Sequence, residues 1–173
     1  MWVADDNEQF MRQALRVARE GMEAGEMPIG AVVVVDGEIV AANYTQETAR
    51  QRLLVHADLL ALLAADPDIR GRRSRARLYV NVEPCLMCLG AAFTARIGQV
   101  IYGLASPSDG GVGAFNYWNE SRDHEAMAGY EMPGVTGGVM LSESAELMRE
   151  YAARQPAGSW TARWALSLAP TNT

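Results

Sequence analysis

The run Ala31-Val-Val-Val-Val35 is followed at once by Asp36-Gly37 and a second apolar stretch, Glu38-Ile-Val-Ala-Ala42. Two such runs across a DG pair predict a β-hairpin. A two-residue type I′ turn needs positive φ at both central positions, and Asp followed by Gly suits it. The run 31–35 shows no alternation, so this strand is expected to be buried on both faces.

The rest of the chain supplies the cover. Residues 6–24 read as a helix, with Asp6 as N-cap, apolar positions at Phe10, Ala14, Val17, Ala18 and Met22, and a stop at Gly25 and Pro28. Residues 43–54 are polar and irregular; 56–65 is a run of helix formers ending at Asp66-Pro67. A short strand is expected at 78–82, a helix opened by Pro84 at 85–95 and a strand at 99–103. A Gly/Ser/Pro loop at 106–113 and the aromatic segment Phe115-Asn-Tyr-Trp118 follow. The reading ends with a strand at 135–141, a helix at 143–154 capped by Ser142 and a closing helix at 160–168. This order suggests an α/β chain, a three-layer α/β/α domain with a mixed sheet.

At 173 residues a single domain, 1–173, is expected, with a core at about 7–155 and a helical tail at 156–173. No apolar run approaches the roughly 20 residues of a membrane helix. The acidic N-terminus lacks a signal-peptide pattern. The expectation is a soluble cytoplasmic protein with no membrane partner.

All 15 basic residues are Arg, so catalytic-lysine and Schiff-base chemistry are excluded. The formal charge of -6 argues against a surface that grips phosphate backbones everywhere. A local patch is possible at Arg70-Gly-Arg-Arg-Ser-Arg-Ala-Arg77, five Arg in eight residues. Such a tract is either a phosphate clamp or simply a solvated face.

Two helix starts carry the chemistry: His56-Ala57-Asp58 and Pro84-Cys85-Leu86-Met87-Cys88. Zinc takes thiolate and imidazole ligands, and a catalytic site uses three of them with one position open. The CxxC spacing sets both sulfurs on the first turn of a helix, where unpaired N–H groups and the helix dipole favour thiolate. Taken singly, a CxxC is also a redox pair or two buried small residues, and a helix-start His is often structural. A structural zinc site would need a fourth ligand, for which only the distant His124 is spare. The combination matches the H-x-E with P-C-x-x-C deaminase signature, with Asp in place of Glu.

The sequence resembles the cytidine and deoxycytidylate deaminase superfamily, and within it the branch of tRNA adenosine and guanine deaminases. The resemblance is carried by Met27-Pro-Ile-Gly-Ala-Val-Val-Val34, Asn43, His56-Ala-Asp58, Leu78-Tyr-Val-Asn-Val-Glu-Pro-Cys-Leu-Met-Cys-Leu-Gly-Ala91 and Arg96-Ile97. It implies a five-stranded mixed sheet between helices, a homodimer, and a zinc-dependent hydrolase that replaces an exocyclic amine of a base or nucleoside by oxygen. It further implies His56, Cys85 and Cys88 as zinc ligands, and Asn43, Ala57 and the Ile29-Gly30 backbone as substrate contacts. Phe115 and Trp118 fall where the family covers its site; core packing explains such a cluster equally. Glu83 and Pro84 are expected to shape the turn. The family's proton-shuttling Glu is here Asp58, whose carboxyl stops one C–C bond, about 1.5 Å, short.

Three functions follow. With five of the 15 Arg in the tract, the rest of the chain sets its remaining Arg against 21 acidic residues and is strongly anionic, so a small base or nucleoside is preferred as substrate to tRNA. A tRNA adenosine deaminase is the alternative. A zinc-stabilised, non-catalytic binding subunit is the third reading, which the carboxylate at position 58 disfavours.

Overall fold

The computed structural model describes residues 4–126 and 128–169; the ends of the expected 1–173 unit lie outside the described residues. Five strands form one sheet in the order β2-β1-β3-β4-β5. They are β1 (Gly30–Val35), β2 (Glu38–Tyr44), β3 (Arg77–Val82), β4 (Gln99–Leu104) and β5 (Gly134–Thr136). β1 pairs antiparallel with β2 and β3, and β3–β4 and β4–β5 are parallel, so the sheet is mixed. The turn between β1 and β2 has φ 53° at Asp36 and 84° at Gly37, both positive as its sequence requires.

Every residue of β1 is buried. Because side chains alternate across a strand, the strand feeds two cores. Ala31, Val33 and Val35 pack on Leu62 and Ala65 of α3 (Ala57–Ala65) and on Leu89 and Phe93 of α4 (Leu86–Thr94). Val32 and Val34 face Phe10, Met11 and Val17 of α1 (Ala4–Glu23). α1 lies so close to the sheet that a Cβ on Gly30 would sit 2.3 Å from the Ala18 nitrogen, so only glycine fits there. Val82 and Leu104 at the ends of β3 and β4 meet Leu147, Met148 and Tyr151 of α6 (Leu141–Arg154). Ala162, Ala165 and Leu168 of α7 (Trp160–Leu168) complete that cluster. Ser159 caps α7 by accepting from the Ala162 N–H at 3.2 Å.

Three boundaries differ from expectation. α1 begins at Ala4, so Asp6 lies inside the helix and does not cap it. The last strand ends at Thr136 instead of 141: Gly137 packs on the Tyr102 ring, Gly138 takes φ +84° and Met140 is left-handed at φ 54°. These turns break the extended run, and α6 then starts from Met140, with no capping role for Ser142. Three short elements were not anticipated: α2 (Glu47–Arg50), inside the irregular stretch, a 3-10 turn (Arg73–Arg75) in the Arg tract, and α5 (Val112–Ser121), which carries the aromatic segment. No described helix is long and apolar enough to cross a membrane.

Candidate metal centre and active site

His56 and Cys85 occupy equivalent places, the N-caps of α3 and α4, with extended backbones at φ/ψ of -66°/149° and -68°/169°. An N-cap side chain usually accepts a hydrogen bond from its own helix. Neither does so here. The two side chains turn toward one another instead. His56 Nδ1 lies 3.6 Å from Cys85 Sγ and 3.8 Å from Cys88 Sγ. One ligand atom from each of the three residues falls within 4.8 Å of the others, the reach of a single ion.

Two loops hold the centre. β3 runs into Glu83, whose carboxylate accepts from the N–H groups of Ser106 and Val112, both at 3.0 Å. The Gly111 N–H donates to Pro84 O at 2.9 Å, and Gly110 bridges to Cys85. A Cβ on Gly111 would stand 2.5 Å from the Leu86 nitrogen, so glycine lets this loop lie flat on the start of α4. Buried Asn81 fixes the opposite wall: its amide accepts from the Gly30 N–H (2.9 Å) and donates to Pro28 O (2.8 Å).

The electrostatics of the cluster are set by the mutual contacts of these three side chains. The Cys85 thiol is drawn down to about 4, first by its hydrogen bond with Cys88 and then by His56. His56 is held up at about 9, chiefly by Cys85 beside it. Cys88 is pushed up by its contact with Cys85 and by burial. Asp58, in the first turn of α3 and 4% exposed, is raised above the ordinary carboxylate range by burial. Two sulfurs and an imidazole suit zinc, and three protein donors beside a cavity leave a coordination position free.

That cavity, about 160 Å3, is walled by Met27, Ile29, Thr45, Glu47, His56, Ala57, Asp58, Val80, Val82, Glu83, Pro84, Cys85, Asp109, Trp160 and Trp164. Of the residues singled out in the sequence, Ile29, His56, Ala57, Asp58, Glu83, Pro84 and Cys85 therefore line one cavity. Cys88 is fully buried behind it. Asn43 is half-buried on β2 opposite Ala31 and is outside this lining. Gly30 is buried under α1 with its N–H committed to Asn81.

Phe115 and Trp118 do not reach the cavity. They stack on each other at 5.3 Å and meet Phe93 edge-on at 5.8 and 5.4 Å, an aromatic cluster between α4 and α5. The aromatic wall of the cavity is Trp160 and Trp164 of α7, a pair at i,i+4 spacing that sequence reasoning passed over. The spacing was legible; the reach of α7 back to the β3 end of the sheet was not. Thr45, Glu47 and Asp109 had no sequence signal.

The Arg tract is no clamp on this cavity. Arg72 and Arg75 both pair with Asp36, and Arg73 pairs with Asp66 at 2.6 Å. The tract lies before and at the start of β3, whereas the cavity takes residues from the strand's other end, Val80 and Val82.

Fold and site together define a deaminase: an α/β/α sandwich with a His/Cys/Cys cluster at paired helix starts and a buried carboxyl beside it. The chain belongs to the MafB19-like deaminase family, whose pattern matches residues 5–130, and so to the cytidine and deoxycytidylate deaminase superfamily. It is 37% identical over 148 residues to a tRNA-specific adenosine deaminase of Bacillus subtilis, covering 84% of this chain and 88% of that protein. It is 39% identical over 149 residues to a tRNA(Ile)-lysidine synthase of Deinococcus radiodurans, but spans only 25% of that protein's length. Among solved structures, one from a study of A-to-I editing by tRNA:A34 deaminases superimposes with a TM-score of 0.69 at 33% identity, covering 80% of this chain and 98% of that one. A guanine deaminase from Nitrosomonas europaea gives 0.66 at 27% identity, covering 84% of each chain.

Proposed function

We propose that the chain is a zinc-dependent hydrolytic deaminase acting on adenosine in tRNA. The observation that carries the chemistry is the meeting of His56, Cys85 and Cys88 beside buried Asp58 at one small cavity. The substrate rests on the family members: extended similarity to a tRNA-specific adenosine deaminase outweighs the preference for a free base drawn from charge alone.

His56 and the two thiolates would hold the metal, and zinc there supplies a Lewis acid that makes water nucleophilic near neutral pH. Overall, water and the amine-bearing base give the oxo-base and ammonia. Asp58 takes one proton from the attacking water and gives it to the ring nitrogen, where it stays in the oxo-base; it then carries that water's second proton from the new hydroxyl to the departing amine, which leaves as ammonia. Its burial favours the protonated form, which suits the delivery half of that cycle. The cavity is below the 300 Å3 or so of drug-sized pockets and so matches one heterocycle, with Trp160 and Trp164 as stacking partners. A flipped-out adenine meets that description.

The second reading, a free base or nucleoside, is favoured by the formal charge of -6 and by the ion-paired Arg tract. A non-catalytic role is disfavoured by the carboxyl kept against the thiols. Ammonia release decides: an anticodon stem-loop bearing adenosine should be turned over, while adenine, guanine, cytosine and their nucleosides should not. Turnover of a free base with an inert stem-loop would overturn the tRNA reading. A homodimer remains our expectation, checked by mass in solution.

A further inference from the structure

We propose that Glu47 is a positioning residue for His56: its carboxylate takes up the Nε2–H of the imidazole and so fixes the tautomer that presents Nδ1 to the metal. The inference rests on the zinc reading above. The His56 ring has two nitrogens, and Nδ1 faces both thiols at 3.6 and 3.8 Å. Nε2 is left pointing at Glu47 Oε1, 3.7 Å away on the cavity wall. A neutral imidazole has one donor and one acceptor, so the ring that binds through Nδ1 carries its hydrogen on Nε2 and needs an acceptor there. At 3.7 Å the acceptor is reached by a small shift of the carboxylate or across one water.

The local structure shows why Glu47 is available. It opens α2, where an acidic side chain would ordinarily turn back onto the helix's free N–H groups. That task is taken by Glu26, a fully buried carboxylate from the loop after α1, which accepts from the N–H of Thr48 at 2.9 Å and of Ala49 at 2.6 Å. Glu47 is thereby free to face the cavity. Buried Thr45 steers it further: its hydroxyl lies 3.5 Å from Glu47 Oε2, on the side away from His56, and 3.4 Å from Val55 O. Glu26, α2, Glu47 and His56 thus form one chain of contacts ending at the metal cluster. A carboxylate behind a metal-bound imidazole orients the ring and raises its basicity, and its loss costs about 10–100-fold in metal affinity or activity.

The test is zinc affinity of the full chain, measured by competition with a chromophoric chelator. Glu47→Ala should bind zinc 10–100-fold more weakly than wild type. Glu47→Gln, whose amide oxygen still accepts the Nε2–H, should recover part of the loss. Arg50→Ala, on the same short helix but off the cavity, should change nothing. In zinc-loaded protein carrying 15N-histidine and His124→Gln, His56 gives the sole ring signals. They should report the Nε2–H form, with the Nε2 proton exchanging faster in Glu47→Ala. Affinity within twofold of wild type in Glu47→Ala, or equal losses in Glu47→Ala and Arg50→Ala, would overturn the proposal. A wild-type chain that binds no zinc would overturn the zinc reading itself.

Discussion

Asn81 is fully buried, and its side chain is the hydrogen-bond partner of two backbone groups from the segment that forms one cavity wall. In Asn81→Ala the Gly30 N–H and the Pro28 carbonyl both lose that partner inside the protein. Each buried, unpaired group costs about 1–3 kcal/mol, so the pair costs about 2–6 kcal/mol before any cavity is counted. Against a typical total of 5–15 kcal/mol, that is a large fraction. Asn81→Asp separates the hydrogen-bond argument from a mere packing effect. Near pH 7 its carboxylate still accepts from Gly30 but faces the Pro28 carbonyl with no hydrogen to give. Burial raises the folded pKa of the new carboxyl above its unfolded value near 4. The stability of Asn81→Asp relative to wild type should therefore be greatest below about pH 4, where its O–H can donate to Pro28, and should fall as pH rises through the raised value. Urea unfolding of both variants between pH 4 and 8 measures this. A loss below 1 kcal/mol in Asn81→Ala, or an Asn81→Asp deficit independent of pH, would refute the reasoning.

Further outcomes follow from the site. With zinc stripped, Cys85, whose pKa is drawn down to about 4, should be alkylated well before Cys88 at pH 6, and added zinc should protect it; equal rates at the two cysteines would count against the pairing. Trp164→Ala should raise KM more than it lowers kcat, because a stacking wall binds ground and transition states alike. Steady-state kinetics on the stem-loop would show it, and an unchanged KM would remove α7 from the substrate site.

Where local chemistry dictates local structure, the sequence was readable. The DG pair forced the β1–β2 turn and the unalternating valines put β1 in the middle of two cores; the helix expected from Pro84 is α4, although Cys85 caps it and Pro84 lies just before the cap. The His56, Cys85 and Cys88 cluster was legible because both cysteines, a preceding proline and a helix-start histidine fall together. What failed depended on distance. Nothing near Gly137 says that a tyrosine ring from β4 will lie against it and end β5. The aromatics 115–118 are as apolar as any active-site cover, and only packing against Phe93 shows Phe115 to be core with Trp118 laid over it, while Tyr117 stays exposed. Trp160 and Trp164 become a cavity wall because α6 carries α7 back over the ends of β3 and β4. The Arg tract reads as a free patch until Asp36 and Asp66, just past the ends of β1 and α3, are seen to pair with Arg72, Arg73 and Arg75.

Asp58 tests the mechanism most directly. It stands outside the ligand triad, so Asp58→Ala and Asp58→Asn should keep their zinc, measured by elemental analysis. Turnover should fall in both by about 100- to 10,000-fold, the usual worth of a positioned proton carrier, since an amide cannot carry the proton. Asp58→Glu is the informative variant. The carboxyl of Asp58 is confined on one side by Cys88 and by the Leu59 N–H, which it accepts at 3.1 Å. Its other side is the cavity wall. An added methylene can therefore go only into a space of about 160 Å3 already sized for one base. There it competes with substrate, at an overpacking cost of about 1–3 kcal/mol, so kcat/KM should drop by roughly 5- to 150-fold. The opposite result, a faster Asp58→Glu enzyme, would mean a pocket still shaped for the longer acid, with Asp58 a handicap the rest of the site has not absorbed. Full activity in Asp58→Ala would remove this residue from the reaction, and proton delivery would have to be sought among the other groups on the cavity wall, Glu83 and Asp109 first.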